Sequence, residues 1–357
     1  MSDEDIIRAV QQALGRRPQS VERLTGGANN IVARVEMGEE TWLAKVYFTH
    51  PRDSRDRLGA EFNMLGFLWE NGIRSVPRPI VMNRELHLGI HEFIEGEKLA
   101  VGQIGWDDVR QLADLLSQMW MARNKPGAEE LPVASEAHFS LRKYFDHVRA
   151  RLKQVEAALN GDPSAASALE FVQAHIQPGS EKVSRFVDTR ASDYRLDLDA
   201  ELPPSLRTLS PADHGFHNTL RNREGKLVFL DFEYAGWDQP AQMLANACLQ
   251  PQVPMPPDFR KPFIKEMLKR IQDDSRLLYR LRVLFPMLSL KWSLIMLNEF
   301  LPVSGQRRTF AGANIEARRA AQLEKSKRQL EVTLKAASEG FFLDDLIDEL
   351  DSQPLPS

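Results

Sequence analysis

Apolar residues fall at helical spacing over Asp3 to Leu14, with Asp3, Glu4 and Asp5 in the first turn where they complement the helix dipole. The chain therefore opens with a short amphipathic helix. After Pro18 the rhythm shortens: Val21 to Val35 reads as strand, glycine-rich turn, strand, and Glu40 to Phe48 as a further strand. A helix is expected from about Arg55 to Asn71, then a strand over Leu86 to Glu92 that runs into Phe93-Ile94-Glu95-Gly96. Helical spacing dominates afterwards, over Gly105 to Asn124, His138 to Asn160 and Pro163 to His175. Pro178-Gly179 predicts a break before Glu181 to Asp197, and Asp197 to Pro204 predicts a solvated acidic loop. The tail is helical again: Pro257 to Asp274 and Asp274 to Val303 of core type, Arg318 to Glu339 polar and amphipathic, Gly340 to Asp351 acidic.

The stretch Ser210 to Ala235 departs from this helical run. Thr219-Leu220-Arg221 and Lys226 to Leu230 read as two short strands, and Asn222 to Gly225 between them is turn chemistry. A hairpin closed there sets Asn218, at its mouth, opposite Leu230 or Asp231. An amide oxygen and a carboxylate thus come to one place, with Asp213 one tight loop away. Hard oxygen ligands on short strands suit Mg²⁺ and the phosphates it carries. An ordinary hairpin with polar ends gives the same local signal, so the rest of the chain decides.

Two features upstream point the same way. Bare backbone N–H groups at Gly26-Gly27 can approach phosphate oxygens because no Cβ intervenes. Lys45 sits in the apolar strand Leu-Ala-Lys-Val-Tyr, where a charge needs a partner, and Glu61 on the next helix is the partner expected.

Composition narrows the class. The 357 residues are enough for two or three domains or lobes, and 46 basic against 50 acidic residues, with no basic run, exclude a nucleic-acid stripe or a polybasic membrane patch. The single cysteine, Cys248, excludes an internal disulfide, fits a reducing compartment and reads as a buried small hydrophobe. Met-Ser-Asp-Glu-Asp shows no export signal, so the cytoplasm is the expected home. The most apolar segment, Leu281 to Val303, is interrupted by Arg282, Lys291 and Glu299 and reads as a core helix, not a membrane span.

The order glycine turn, strand lysine, helix glutamate, catalytic-loop Asp and Asn, hairpin Asp resembles the aminoglycoside phosphotransferase and choline kinase-like family, small-molecule kinases of the protein-kinase-like fold. The residues that carry it are Gly26-Gly27-Ala28-Asn29-Asn30, Lys45, Glu61, Asp213-x-x-x-x-Asn218 and Asp231-Phe232-Glu233. Pro211 stands where that family reads His. The resemblance implies an α+β, two-lobed fold: an N-terminal lobe over 1–96, with an antiparallel sheet and a helix, and a mostly helical C-terminal lobe over 97–357. It further implies ATP held by Gly26, Gly27, Asn30, Lys45 and Glu61, with adenine at the Glu92-Phe93-Ile94 hinge. Mg²⁺ would be held by Asn218 and Asp231, and Asp213 would serve as the catalytic residue. Glu233 is placed either to reach a metal-bound water, if the strand continues, or to be a surface carboxylate, and Asp238 to cap the following helix. Lys291, Trp292, Asn298 and Glu299 are candidates for the acceptor pocket.

The expected activity is transfer of the γ-phosphoryl group of ATP to a hydroxyl of a small molecule: a choline- or ethanolamine-like amino alcohol, a sugar or a related metabolite. The alternative is a nucleotide-binding scaffold without catalysis. Pro211 and the reduced glycine turn favour that alternative; retention of Lys45, Asp213, Asn218 and Asp231 together opposes it.

Overall fold

The computed structural model describes residues 3–24, 30–49, 55–301 and 315–352. Two compact units emerge, one of residues 1–136 and 208–238, the other of residues 137–207 and 239–357.

The first unit is built on a five-stranded antiparallel sheet. Its strands are β1 (Ser20–Arg23), β2 (Ile31–Met37), β3 (Glu40–Val46), β4 (Pro79–Asn83) and β5 (Leu88–Glu92), in the order β1-β2-β3-β5-β4. Strand alternation sends Ala33, Val35 and Met37 of β2, Ala44 and Val46 of β3, and Leu88 and Ile90 of β5 to one face. Helix α1 (Asp3–Leu14) covers that face with Ile6, Ala9 and Val10, which are at helical spacing. Helix α2 (Arg57–Glu70) packs on β4 and β5, its N-terminus capped by Asp56, which accepts from the Gly59 N–H at 2.9 Å. Strand β4 opens on Pro79, lies at the sheet edge and carries a bulge between Pro79 and Val81, the setting a proline without an N–H requires.

The same unit holds a second set of short strands. β6 (Glu97–Lys98), β8 (Thr219–Arg221) and β9 (Leu227–Phe229) form a three-stranded sheet, and β7 (Thr208–Ser210) pairs with β10 (Gly236–Asp238). The β8–β9 register pairs Thr219 with Phe229, as the sequence reading requires, and the Leu230 N–H donates to the Asn218 carbonyl at 2.8 Å. Asn222 closes the turn, its side chain accepting from the N–H groups of Glu224 and Lys226 at 3.0 and 2.8 Å. Helix α3 (Trp106–Ala122) braces this hairpin. Arg221 donates to both oxygens of Asp108 at 2.8 and 2.7 Å, and Gln111 accepts from the Leu227 N–H at 2.8 Å.

The second unit is helical: α4 (Leu141–Asn160), α5 (Ala166–Phe171), α6 (Gln177–Asp193), α7 (Pro240–Leu249), α8 (Pro257–Arg270), α9 (Leu277–Met296), α10 (Ile315–Ala336) and α11 (Phe342–Asp351). Helix α9 is its axis and packs against α4, α6, α7, α10 and α11. The segment Leu277–Phe300 is long and apolar enough to cross a membrane, yet 83% of its most apolar window is buried, as a core helix requires. Within it the fully buried Arg282 donates to the carbonyls of Ala336 and Ser338 at 2.6 and 2.8 Å and pairs with Asp344, which ties the C-terminal helices to the axis. Cys248 is buried and its thiol is pushed up to about 12 by that burial, so it is inert. In the acidic loop, Glu201 pairs with Lys143 and Arg207, and Asp199 with Arg142, all of them charges of a solvated surface.

Two local expectations are corrected. The chain does not break at Pro178-Gly179: α5 continues through a π turn (Val172–Ile176) into α6. The wider π turn sets Pro178 in the first turn of a new α segment, where its missing N–H costs little. Gly179 is there for contact, since a Cβ at this position would lie 3.1 Å from Leu330 Cδ1 on α10. Asp238 lies on β10 paired with Thr208, and the N-cap of α7 is Gln239. Gly179→Val should cost about 1–3 kcal/mol by overpacking this contact, read as a lower denaturation midpoint at unchanged m-value.

Candidate active site

The site grows from the alternation of β3. Ala44 and Val46 enter the core under α1, so Lys45 points to the opposite face, where α2 presents Glu61 one turn in from its cap. Lys45 is 6% exposed, and its ammonium donates to Glu61 Oε2 and Asp231 Oδ1, both at 2.6 Å, with Glu233 Oε2 at 3.9 Å. Burial alone would pull the Lys45 pKa down; the carboxylates of Glu61, Asp231 and Glu233 outweigh it and hold the pKa above the ordinary 10.5, so the ammonium stays charged.

The floor under this pair is made by the same phase of neighbouring strands. Tyr47, two residues beyond Lys45, donates its hydroxyl to Glu61 Oε2 at 2.7 Å, and the Phe232 N–H reaches Glu61 Oε1 at 3.3 Å. His91 on β5 lies 3.4 Å from the Tyr47 hydroxyl. Opposite Lys45 in the register stands Gly89, where a Cβ would fall 2.7 Å from His91 Nε2 and 3.3 Å from the Tyr47 ring. Only the bare glycine leaves room for both rings beneath the lysine. Burial, then the Lys45 charge, pushes the His91 pKa down to about 3, so the imidazole is neutral. Burial and the Glu61 charge hold the Tyr47 phenol well above its ordinary value, so it remains a donor.

The hairpin supplies the other side. Asp231 takes a left-handed backbone (φ +65°), and so does Ala212 (φ +64°), immediately before Asp213. Such angles cost a non-glycine residue about 1–2 kcal/mol and persist where the surroundings impose them. Around Ala212 the Asp213 N–H donates to the Pro211 carbonyl at 2.8 Å, closing a three-residue turn that needs no histidine at position 211. The Asp213 carbonyl accepts from Asn218 Nδ2 at 3.0 Å, and its carboxylate Oδ1 lies 3.5 Å from His217 Nε2. No strand continues past Asp231; the chain turns over 233–234, and this turn brings Glu233 back toward Lys45.

Lys45, Glu61 and Asp231 therefore form one contact cluster, and Asp213 and Asn218 another on the adjoining loop. Asn30 joins the first through Glu233, at 2.5 Å. Glu92, Phe93 and Ile94 follow one another at the end of β5: Glu92 Oε2 accepts from the Arg78 N–H at 3.1 Å, and the Arg34 guanidinium sits 5.2 Å from the Phe93 ring. Gly26 and Gly27 lie outside the described residues. Within the helical unit, Lys291 is buried with its ammonium 5.4 Å from the Tyr144 ring, and Glu299 pairs with Arg318 at 3.6 Å. Tyr47, Arg57, His91 and His217 were missed by sequence reading. Tyr47 and His217 stand at i+2 on the strand and i+4 on the loop from named residues, and that spacing is the signal that could have found them.

Residues 20–278 match the model of a family described as the phosphotransferase enzyme family. The chain belongs to this family. No curated protein matches the sequence. Among solved structures, a spectinomycin phosphotransferase in complex with ADP and spectinomycin matches at a TM-score of 0.60, with 15% identity over 93% of this chain and 98% of that one. A choline kinase from Cryptosporidium parvum matches at 0.57, with 15% identity over 92% and 97% of the two chains. A choline kinase from Streptococcus pneumoniae matches at 0.58, with 16% identity over 92% and 99%. These likenesses carry the kinase-like fold, with an N-terminal antiparallel sheet and a helical C-terminal region, as the sequence led us to expect. In this phosphotransferase Lys45 lies on β3, Glu61 on α2, Asp213 in the loop after β7 and Asp231 just past β9.

The neutral His91 makes a testable contribution to stability. Its folded pKa is about 3 against an ordinary 6.5, so as pH falls below 6.5 the unfolded chain takes up a proton that the folded one refuses. The protein should lose up to about 1.4 kcal/mol per pH unit from this group between pH 6 and pH 4. His91→Gln should flatten the acid side of the stability-against-pH curve by that slope, measured by chemical unfolding at each pH.

Proposed function

We propose that this phosphotransferase uses ATP and moves its γ-phosphoryl group to a hydroxyl of a small molecule. The observation that carries the reading is the doubly paired Lys45, charged and fixed at 2.6 Å from both Glu61 and Asp231. A buried ammonium so fixed is a ready partner for nucleotide phosphates.

The residues present also fit a hard divalent cation. Asp231 Oδ1 is taken by Lys45, and Asn218 Nδ2 is turned to the Asp213 carbonyl. Among the described residues, Asp231 Oδ2 and Asn218 Oδ1 accept no hydrogen bond, and both side chains sit at the mouth of one hairpin. No group of three or more His, Cys, Asp or Glu side chains suited to a metal occurs among the described residues. Two protein oxygens supplemented by substrate phosphates is the arrangement Mg²⁺ favours over an all-protein cage. Asn218 and Asp231 would hold Mg²⁺ there, and the ion would neutralise charge on the phosphoryl group.

Asp213 is the group assigned to the acceptor. Its carboxylate, about one-third exposed, orients the acceptor hydroxyl for in-line attack and takes the proton as the new O–P bond forms and the bond to ADP breaks. A carboxylate is a weak base, so orientation contributes more than proton removal. The neighbours solved with ADP and spectinomycin, or named as choline kinases, support an amino alcohol or a sugar-like alcohol as acceptor. A scaffold without catalysis gains no support from them, and the turn before Asp213 closes on the Pro211 backbone despite the missing His.

Asp213→Asn should lower turnover with the true acceptor by about 10²–10⁴-fold while leaving the Mg²⁺-dependent thermal shift with ATP within about a degree of wild type. A screen of amino alcohols and sugars for ATP-dependent phosphate transfer identifies the acceptor to use. Retention of full activity in that variant would remove Asp213 from the chemistry.

A further inference from the structure

Glu233 is 2% exposed and surrounded by donors from three separate parts of the chain. Its Oε2 accepts from Asn30 Nδ2 at 2.5 Å and lies 3.9 Å from the Lys45 ammonium, and its Oε1 lies 3.8 Å from a nitrogen of the buried Arg57. Asn30 cannot turn its amide round to do otherwise. Its Oδ1 accepts from the Phe48 N–H at 3.2 Å, just past the end of β3, so Nδ2 must face the carboxylate. Phe48 and Lys45 are three residues apart on the same strand and its exit; Arg57 opens the helix that carries Glu61; Glu233 follows Asp231 by two residues.

From this arrangement we propose that Glu233 and Asn30 are positioning residues, joined in a partly buried strut, Asn30–Glu233–Arg57, that sets the distance between the Lys45–Glu61 pair and the Asp231 loop. Neither side chain touches nucleotide or metal. The strut replaces two simpler expectations, Asn30 as a nucleotide contact and Glu233 as a ligand of metal-bound water. Its logic is that of buried polar groups generally: a carboxylate with one oxygen hydrogen-bonded to Asn30 and the other facing the Arg57 guanidinium at 3.8 Å is poorly suited to move onto a cation, and well suited to hold its neighbours in register. The inference rests on the ATP-dependent reading of the site.

A double-mutant cycle tests it, using the full-length protein, Mg·ATP as probe and calorimetric Kd as the first readout. Asn30→Ala and Glu233→Gln should each weaken Mg·ATP binding about ten- to a hundredfold, the scale of one hydrogen bond to a charged group. The double variant should bind no worse than the weaker single, because both changes cut the same strut. The Mg²⁺ concentration for half-maximal nucleotide binding should stay within about twofold of wild type in both singles. Asn30→Asp places a carboxylate against Glu233 and should exceed Asn30→Ala in its effect, and it carries the test if Glu233→Gln does not fold. Multiplying losses in the double variant, a raised Mg²⁺ requirement confined to Glu233→Gln, or equal effects of Asn30→Asp and Asn30→Ala each overturn the strut. Wild-type protein that does not bind Mg·ATP overturns the ATP-dependent reading and the strut together; wild-type binding with any of the three preceding results overturns the strut alone.

Discussion

Burying an ammonium group inside an apolar sheet is the constraint around which the first unit is arranged. Lys45 keeps its charge because Glu61 and Asp231 reach it at 2.6 Å, and removing Glu61, its buried partner, costs about 3–5 kcal/mol. Each carboxylate must in turn be held. Glu61 is fixed by Tyr47 and the Phe232 N–H; Asp231 is fixed by its own left-handed backbone; Glu233 is fixed by Asn30 and Arg57. In formal charge, Lys45 and Arg57 (two cations) face Glu61, Asp231 and Glu233 (three carboxylates), an excess of one negative charge where a divalent cation is proposed to bind. A cation at the proposed position would offset that excess.

Of the five non-glycine residues with left-handed backbone among the described residues, two flank the proposed catalytic-loop hairpin. Ala212 and Asp231 both hold left-handed angles that side chains disfavour, on either side of the β8–β9 hairpin. That hairpin is short, and two or three paired residues per strand would not sustain it in water. Helix α3 supplies what is missing, through the two-pronged Arg221–Asp108 bond and the Gln111 contacts to Gly225 and Leu227. The chemistry-bearing loop therefore owes its geometry to a helix that contributes none of the proposed catalytic or metal-binding groups.

Legibility from sequence followed the reach of local rules. Helix α1, strands β2 and β3 and the β8–β9 hairpin were readable because periodicity and turn residues act over a few positions, and the hairpin register followed from the turn alone. Lys45 and Glu61 could be paired because an ammonium in an apolar strand demands a partner. What escaped depended on contacts distant in the chain. Pro79 concealed β4, since a proline argues against a strand until the strand is known to be an edge. Pro178-Gly179 reads as a break unless the π turn before it and the α10 helix packed on Gly179 are known. Asn30 and Glu233 are 203 positions apart, and no spacing rule joins them.

Gly89 shows how closely core and site are interlocked. Period-two alternation sends one phase of β3 and β5 into the α1 core and the other into the site, so any shift of register by one residue would bury Lys45 under α1 and expose Val46. The apolar core therefore fixes the register, and the register fixes the lysine. Within the site phase, glycine opposite lysine leaves space that Tyr47 and His91 fill, and their rings keep water from the ammonium. Low dielectric around Lys45 strengthens each of its ion pairs while raising the cost of losing one. A Cβ at position 89 would meet His91 Nε2, Leu58 and the Tyr47 ring, so the space beneath the lysine is set by the residue opposite it in the register.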